Sequence, residues 1–212
     1  MTNIESPIIL ALIGTGITFL ATVIGAAAVF LVKKQSSGNI QKAFLGFASG
    51  IMIAASVWSL LLPAMDMAEK QGVIKWLPAA SGFAIGGLFL YLLDKLLPHL
   101  HTDSDKPEGI KSSFPKSSLL VLAVTLHNIP EGMAVGLSFA LASNSSAALT
   151  GAVVLAVGMA LQNLPEGAAI SLPLRGEGFS KGKSFTFGAL SGLVEPLAGL
   201  IGVTLAVTIE SK

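Results

Sequence analysis

The chain has 212 residues, of which 52% are hydrophobic and only 12% charged, and its formal net charge is +1. A soluble domain carries about 25% charged residues, so this composition excludes an ordinary soluble protein, and the near-neutral charge gives no indication of nucleic-acid binding. The absence of cysteine excludes disulfides and thiolate metal ligands.

Six apolar runs follow one another along the chain, each about as long as the 20 residues that cross a bilayer. They cover approximately residues 8–32, 43–65, 76–97, 117–142, 147–174 and 184–209. Because the runs are continuous rather than alternating, they predict an all-α polytopic membrane protein and disfavour a transmembrane barrel. We therefore expect a single integral membrane domain with six helices.

Basic residues predict the orientation of these helices. With six spans both termini lie on one side, and the opposite side then holds ten of the 13 Lys and Arg residues. Cytoplasmic loops carry such an excess. We therefore expect both termini outside the cytoplasm, and the longest polar loop, about residues 98–116, inside it. That loop contains His99 and His101, for which a solvated linker is favoured over a metal-accepting segment.

A short signature occurs twice, in the fourth and fifth runs. The first copy, His-Asn-Ile-Pro-Glu-Gly, extends from His127 and Asn128 to its glutamate, Glu131. The second copy, Gln-Asn-Leu-Pro-Glu-Gly, begins at Gln162 and has its glutamate at Glu166. In each copy the first residue and the glutamate are four apart, which puts them on one helix face. Two such faces turned toward each other supply imidazole, amide and carboxylate groups, a ligand set for a divalent transition metal.

Three glutamates lie inside apolar runs, where a charge is costly. Glu131, Glu166 and Glu195 belong to the fourth, fifth and sixth runs. A charge at the bilayer centre costs about 2.5–3.5 kcal/mol even on the lenient insertion scale. No Lys or Arg lies within these runs to neutralise the carboxylates, which must therefore face one another, water or a cation. A cation site is the favoured interpretation.

Glycines indicate where helices come close together. Gly132 and Gly167 directly follow the two signature glutamates, and we expect each to let another helix approach. Small residues four apart favour the same kind of packing in membranes. Two such pairs are Gly82 with Gly86, and Gly188 with Gly192.

The paired signature resembles that of the ZIP family (Zrt/Irt-like metal transporters), and the copy that begins with Gln162 is similar to the GufA-like branch. The resemblance covers essentially the whole chain. It implies a divalent-metal importer with a two-metal site between the fourth and fifth spans. It also implies alternating access, in which spans one, four, five and six move against a scaffold.

The resemblance further implies which residues bind the metals. The full set of implied ligands is Met52, His127, Asn128, Glu131, Gln162, Asn163, Glu166 and Glu195. Glu131 and Glu166 would bridge the two metals, and Met52 would offer a soft ligand to the primary one. Asn163 stands where some relatives have aspartate, so the second metal would have one anionic ligand fewer.

The residue types do not choose one metal. Imidazole, carboxylate and amide oxygen together suit zinc, iron(II), manganese and cadmium, and we expect zinc. The metal is cargo, and no catalytic cofactor is expected. The main alternative is an intramembrane metalloenzyme, but Asn128 stands where a His-Glu-x-x-His peptidase needs its glutamate, and the Glu-x-x-His pairs of a di-iron enzyme are missing.

The family fold has eight spans, whereas this chain has six predicted ones. The last two would follow Lys212, which leaves a truncated, non-transporting fragment as a further alternative. The expected partners are the lipid bilayer and the metal, with a homodimer as an additional candidate. The expected location is the plasma membrane of a bacterium.

Overall fold

The computed structural model describes residues 6–31, 38–96, 116–142 and 146–210. Within these ranges the chain is helical and contains no strand. The prediction of an all-α polytopic membrane protein is confirmed by this helical content together with five helical stretches that are long and apolar enough to cross a membrane. Nearly all of the predicted cytoplasmic loop, with His99 and His101, lies outside the described residues.

The described residues form nine α-helices and one π-helix. The α-helices are α1 (Pro7–Ala26), α2 (Ala28–Leu31), α3 (Gly38–Ala54), α4 (Leu62–Lys70), α5 (Leu77–Leu96), α6 (Lys116–Leu141), α7 (Ser146–Gly176), α8 (Lys181–Ser191) and α9 (Val194–Glu210). The π-helix, Ala55–Leu61, joins α3 to α4. We call α1, α2, α6, α7, α8 and α9 the inner bundle, and α3, the π-helix, α4 and α5 the outer arm.

Five helical stretches are long and apolar enough to cross a membrane: Pro7–Leu31, Gly46–Lys70, Ser118–Leu141, Ala148–Gly176 and Lys181–Thr208. The third predicted span, residues 76–97, corresponds to α5, whose apolar part, Leu77–Leu92, is shorter. At 1.5 Å per residue this part is about 24 Å long, against a hydrocarbon core of about 30 Å. Membrane crossing by α5 therefore stays a prediction.

The sixth predicted run, residues 184–209, contains two helices rather than one, with a turn at Gly192–Leu193 between α8 and α9. Pro196 has no N–H to donate to the carbonyl of Gly192. That carbonyl instead accepts a hydrogen bond from the backbone N–H of Glu195 at 3.0 Å. The break puts Glu195 in the first turn of α9, where the helix dipole favours a negative charge.

Proline also explains the π-helix of the outer arm. Pro63, in the first turn of α4, cannot donate to the carbonyl of Ser59, and its ring would clash with that carbonyl in a regular α-helix. The chain widens instead, and the N–H of Leu62 donates to the carbonyl of Val57, five residues earlier. The second predicted run is therefore helical throughout, but irregular in its middle.

Helix α7 lies at the centre of the inner bundle, against α1, α6 and α8, and α6 pairs with α9. The outer arm adjoins this bundle through α3 and the π-helix, which pack against α7. One end of the bundle is filled by an apolar cluster that includes Val135, Phe139, Leu155, Met159 and Val203. This is the end that the loop charges predict to face outside. The buried polar side chains begin where this cluster stops.

Candidate metal centre

The two signatures meet in the middle of the inner bundle. Gln162 Nε2 donates a hydrogen bond of 2.7 Å to Glu131 Oε2 and one of 2.8 Å to Asn163 Oδ1. Asn163 Nδ2 donates to both carboxylate oxygens of Glu195, at 2.9 Å each. All four side chains are buried. One continuous hydrogen-bonded row therefore joins α6, α7 and α9.

His127 lies at the edge of this row. Its side chain is 44% exposed, and its Nε2 lies 3.5 Å from Glu131 Oε1, a contact that becomes an ion pair only when the ring is protonated. The ring is in contact with the surroundings of the bundle, whereas the carboxylate of Glu131 behind it is only 6% exposed. His127 thus occupies the boundary between the buried row and the outside of the bundle.

Three buried oxygens in the site have no hydrogen-bond donor among the described residues: Asn128 Oδ1, Glu131 Oε1 and Glu166 Oε1. The amide nitrogen of Asn128 is satisfied, because it donates to the carbonyl of Ser191 at 3.2 Å. A buried acceptor without a partner costs about 1–3 kcal/mol. When charged, the carboxylates of Glu131, Glu166 and Glu195 also repel one another across this buried centre. A cation would relieve both penalties.

The structure does not present a finished coordination shell. In the part of the chain that it describes, no three His, Cys, Asp or Glu side chains converge closely enough to hold a metal ion. The amide groups of Gln162 and Asn163 lie between the carboxylates and turn their N–H groups toward them. For these amides to bind metal, they would have to turn their oxygens inward. The ligand set therefore stays a prediction.

Met52 is half-buried on α3, in the outer arm. Its neighbour Ile51 lies against α7, where a Cβ added at Gly158 would be 3.8 Å from Ile51 Cγ2. Gly158 is one helical turn before Gln162. Met52 is thus near the level of the second signature, but no hydrogen bond among the described residues joins it to the site. Its role as a ligand also stays a prediction.

Another helix packs against each of the two signature glycines, as predicted. A Cβ at Gly132 would lie 2.7 Å from the Cα of Glu195, so α9 passes directly over the end of the first signature. A Cβ at Gly167 would lie 2.8 Å from the backbone nitrogen of Ala26 and 3.0 Å from the carbonyl carbon of Thr22. Helix α1 therefore covers the second signature in the same way.

Sequence reasoning missed the contribution of α1. The carbonyl of Thr18 accepts a hydrogen bond from Asn163 Nδ2 at 3.2 Å, and Thr22 Oγ1 lies 3.3 Å from Glu195 Oε1. Both threonines are fully buried. A signal was present, because Thr15, Thr18 and Thr22 recur at spacings of three and four in an otherwise aliphatic run, and so share one helix face.

These features define a class: a polytopic helical membrane protein with a buried cluster of carboxylates and amides at the centre of a tightly packed bundle. A family model described as ZIP Zinc transporter matches residues 6–118 and 102–212. The chain therefore belongs to the ZIP zinc transporter family, and the predicted resemblance is confirmed.

Individual relatives agree with this family. In an alignment of 285 positions, the chain is 38% identical to "Zinc transporter ZIP11" of Homo sapiens. The alignment covers 97% of this chain and 83% of that protein. The chain is 39% identical over 194 residues to "Zinc transporter GufA" of Myxococcus xanthus, with 90% and 74% covered. It is 38% identical over 202 residues to "Zinc transporter ZIPB" of Bordetella bronchiseptica, with 92% and 62% covered. These relatives are named as transporters, and the family is one of transport proteins rather than enzymes. The metalloenzyme alternative is thereby set aside.

Proposed function

We propose that this chain imports a divalent transition metal, zinc first, into the cytoplasm through the buried site of the inner bundle. The relatives named above are zinc transporters, which supports zinc as the cargo. Iron(II), manganese and cadmium are further candidate cargoes, because the same ligand types accept them.

One observation carries the proposal: the buried oxygens of Asn128, Glu131 and Glu166 that lack hydrogen-bond donors among the described residues. They come from both signatures, on two adjacent helices. Carboxylate and amide oxygens without donors are poorly solvated by the protein, and a divalent cation offers each of them a strong partner. The imidazole of His127, at the exposed edge of the site, is a nitrogen ligand, and it therefore favours transition metals over magnesium and calcium.

A carrier must also release its cargo. In the described structure the glutamates are held by amides: Gln162 donates to Glu131, and Asn163 to Glu195. These hydrogen bonds offer the carboxylates of Glu131 and Glu195 a replacement partner when a metal leaves. Such competition keeps binding weaker than in a structural zinc site, where all ligands are committed to the metal.

The loop charges support an orientation of the chain in the membrane, and the family resemblance supports import in that orientation. Arg175, Lys181 and Lys183 lie around the α7–α8 turn, whereas Lys70 and Lys75 lie at the α4–α5 turn on the other side. The excess of basic residues on the first side supports a cytoplasmic location for it. Both termini would then be extracytoplasmic. A bacterial plasma membrane and a homodimer belong to the same proposal and rest on the family resemblance.

Movement of the inner bundle against the outer arm would expose the site to each side in turn. The inner bundle comprises the predicted spans one, four, five and six, which the resemblance implies are the moving unit. The division between a tightly packed bundle and a loosely attached arm supports this assignment. The turn at Gly192–Leu193 and the prolines inside α6 and α7 provide points where the helices can bend.

The test is zinc uptake by purified protein in proteoliposomes. Glu166→Ala removes a site carboxylate, and we expect it to abolish uptake. Glu177→Ala removes a glutamate from the exposed α7–α8 turn, and this matched control should transport like the wild type. Wild-type uptake by Glu166→Ala would contradict the site assignment, and the absence of flux in the wild type would favour the non-transporting alternative. Competition among zinc, iron(II), manganese and cadmium in the same vesicles identifies the preferred cargo.

A further inference from the structure

Helix α1 turns its small and hydroxyl-bearing residues toward the bundle and its large aliphatic residues away from it. The buried residues are Ala11, Gly14, Thr15, Thr18, Ala21, Thr22, Gly25 and Ala26. Large exposed residues such as Ile13, Ile17, Leu20 and Ile24 occupy the opposite face. Because of this arrangement, α1 packs closely between α7 and α9, and its threonine hydroxyls lie at the level of the site.

Thr22 faces the carboxylate of Glu195 directly. Its Oγ1 lies 3.3 Å from Glu195 Oε1 and 3.4 Å from the carbonyl of Thr18, so one hydroxyl proton has two acceptors at similar distances. The charged acceptor makes the stronger hydrogen bond. Thr22 also lies against the turn between α8 and α9, where a Cβ added at Gly192 would be 2.9 Å from its Oγ1. Its position is therefore fixed by close packing.

Helix α1 acts on Glu195 by a second route. The carbonyl of Thr18 accepts a hydrogen bond from Asn163 Nδ2, the same nitrogen that donates to both oxygens of Glu195. The amide of Asn163 is thus held between α1 and α9. Both routes converge on a carboxylate that is only 1% exposed, so its described hydrogen-bond partners are groups of the protein itself.

The two signatures are packed against neighbouring helices in the same way. Over Gly132 of the first signature lies the backbone of Glu195, whose side chain reaches into the site. Over Gly167 of the second lies the backbone of Thr22. In the α1–α7 pair, Thr22 therefore occupies the position that Glu195 occupies in the α6–α9 pair. Each helix pair delivers one polar side chain to the centre.

We propose that Thr22 is a positioning residue of the metal site, and that its hydroxyl holds the Glu195 carboxylate in the orientation that the cargo requires. Helix α1 then helps to set how tightly the site binds metal, although it contributes no charged side chain to it. This inference rests on the transport function proposed above.

The experiment compares three threonine variants in the zinc-uptake assay. Thr22→Val removes the hydroxyl and keeps the branched shape, whereas Thr22→Ser keeps the hydroxyl. Thr15→Val is the matched control, because Thr15 is equally buried on the same face but donates its hydroxyl to the carbonyl of Ala11 in its own helix, at 2.8 Å. Size-exclusion chromatography in detergent confirms that each variant is folded, and Thr22→Ala replaces Thr22→Val if the latter is not.

We expect Thr22→Val to raise the KM for zinc about three- to tenfold, the range of one ordinary hydrogen bond, because Glu195 keeps its hydrogen bonds to Asn163; the maximal rate should change little. Thr22→Ser and Thr15→Val should stay within about twofold of the wild type. Zinc binding to the purified protein should weaken by the same factor in Thr22→Val. That loss should shrink in a Glu195→Gln background, because the two side chains then no longer make the charged contact.

Three results would overturn the proposal: an unchanged KM in Thr22→Val, an equal loss in Thr15→Val, or a Thr22→Ser variant as impaired as Thr22→Val. The second would mean that packing of α1, rather than the hydroxyl, carries the effect. Glu166→Ala in the same vesicles separates this from failure of the proposed function. If that variant transports normally, the site itself is wrong; if it is inactive while Thr22→Val is normal, only the role of Thr22 is wrong.

Discussion

The inner bundle buries far more of its helix surface than the outer arm does. In the four candidate spans of the inner bundle, 33% to 44% of an apolar 18-residue stretch is buried, whereas in Gly46–Lys70 of the outer arm the share is 6%. The bundle turns small and polar side chains inward. The arm exposes large ones, such as Phe83 and Phe89 on α5. Lipid solvates large apolar side chains well, so helices in a membrane associate through close contact between small residues.

Glycine illustrates the difference most clearly. In the inner bundle, Gly132 and Gly167 are in contact with the backbone of a neighbouring helix, and the predicted packing of Gly188 and Gly192 is confirmed by close contacts with α1. In the outer arm, a Cβ at Gly82 or Gly86 would meet nothing within 4 Å among the described residues. The prediction of close packing for that pair is wrong within the described chain. Spacing alone does not reveal whether another helix is present to fill the groove.

The largest effect should come from adding one methyl group to a bundle glycine. Gly167→Ala forces a Cβ against the backbone of α1, with the nitrogen of Ala26 at 2.8 Å. A backbone cannot move aside as a flexible side chain can, so we expect a loss of about 3 kcal/mol, the upper end of overpacking costs. Thermal unfolding in detergent measures the loss, and zinc uptake should fall with it.

The same substitution in the outer arm should have the opposite sign. Gly82→Ala meets open space, and alanine is the better helix former by up to about 1 kcal/mol, so this variant should be as stable as the wild type or slightly more so. Equal destabilisation by the two substitutions would show that the contrast between bundle and arm does not govern stability.

A smaller effect is expected from Asn163→Asp, which changes charge without changing shape. The variant loses both hydrogen bonds to Glu195 and puts two carboxylates together, which should cost about 2 kcal/mol of unfolding free energy without metal. Zinc should restore this stability if the proposed second cation position exists, because that position would gain an anionic ligand. The measurement is the zinc-induced shift in unfolding temperature, expected to be larger than in the wild type. If the shift is no larger than in the wild type, residue 163 does not contact the metal.

The smallest effect is expected at the exposed turn of the outer arm. Lys75 donates a hydrogen bond of 2.7 Å to Glu69 and lies 3.6 Å from Asp66. The hydrogen bond to Glu69 raises the pKa of Lys75, so any stabilisation is present at neutral pH and is lost only as pH rises through that raised pKa in the alkaline range. Because exposed ion pairs contribute little, Lys75→Ala should unfold at nearly the wild-type temperature at pH 7. A clear loss that persists in high salt would mean that this turn matters for folding.

Much of the site could be predicted because burying charged and polar side chains within apolar runs costs free energy. Glu131, Glu166 and Glu195 in apolar runs demand compensation, and the spacing of the signatures put their polar groups on helix faces. Pro196 predicts a kink beside Glu195, because it leaves the carbonyl of Gly192 without its helical partner, but the division of this run into two helices was not predicted. A proline inside a run can either kink a membrane helix or end it, and the choice depends on the neighbouring helices that satisfy the freed carbonyl.

The sequence by itself determined the class and the family of this protein and predicted the carboxylates and amides of its centre, because apolar length, the paired signature and charges within apolar runs all belong to local segments. Tertiary structure decided which groups hold the carboxylates. Thr22 and Glu195 are 173 residues apart, and Thr18 and Asn163 are 145 apart. No local pattern encodes such pairs, since they form only when α1 packs between α7 and α9. For the same reason the glycines of the inner bundle and the outer arm look alike in sequence and differ only once their neighbours are in place.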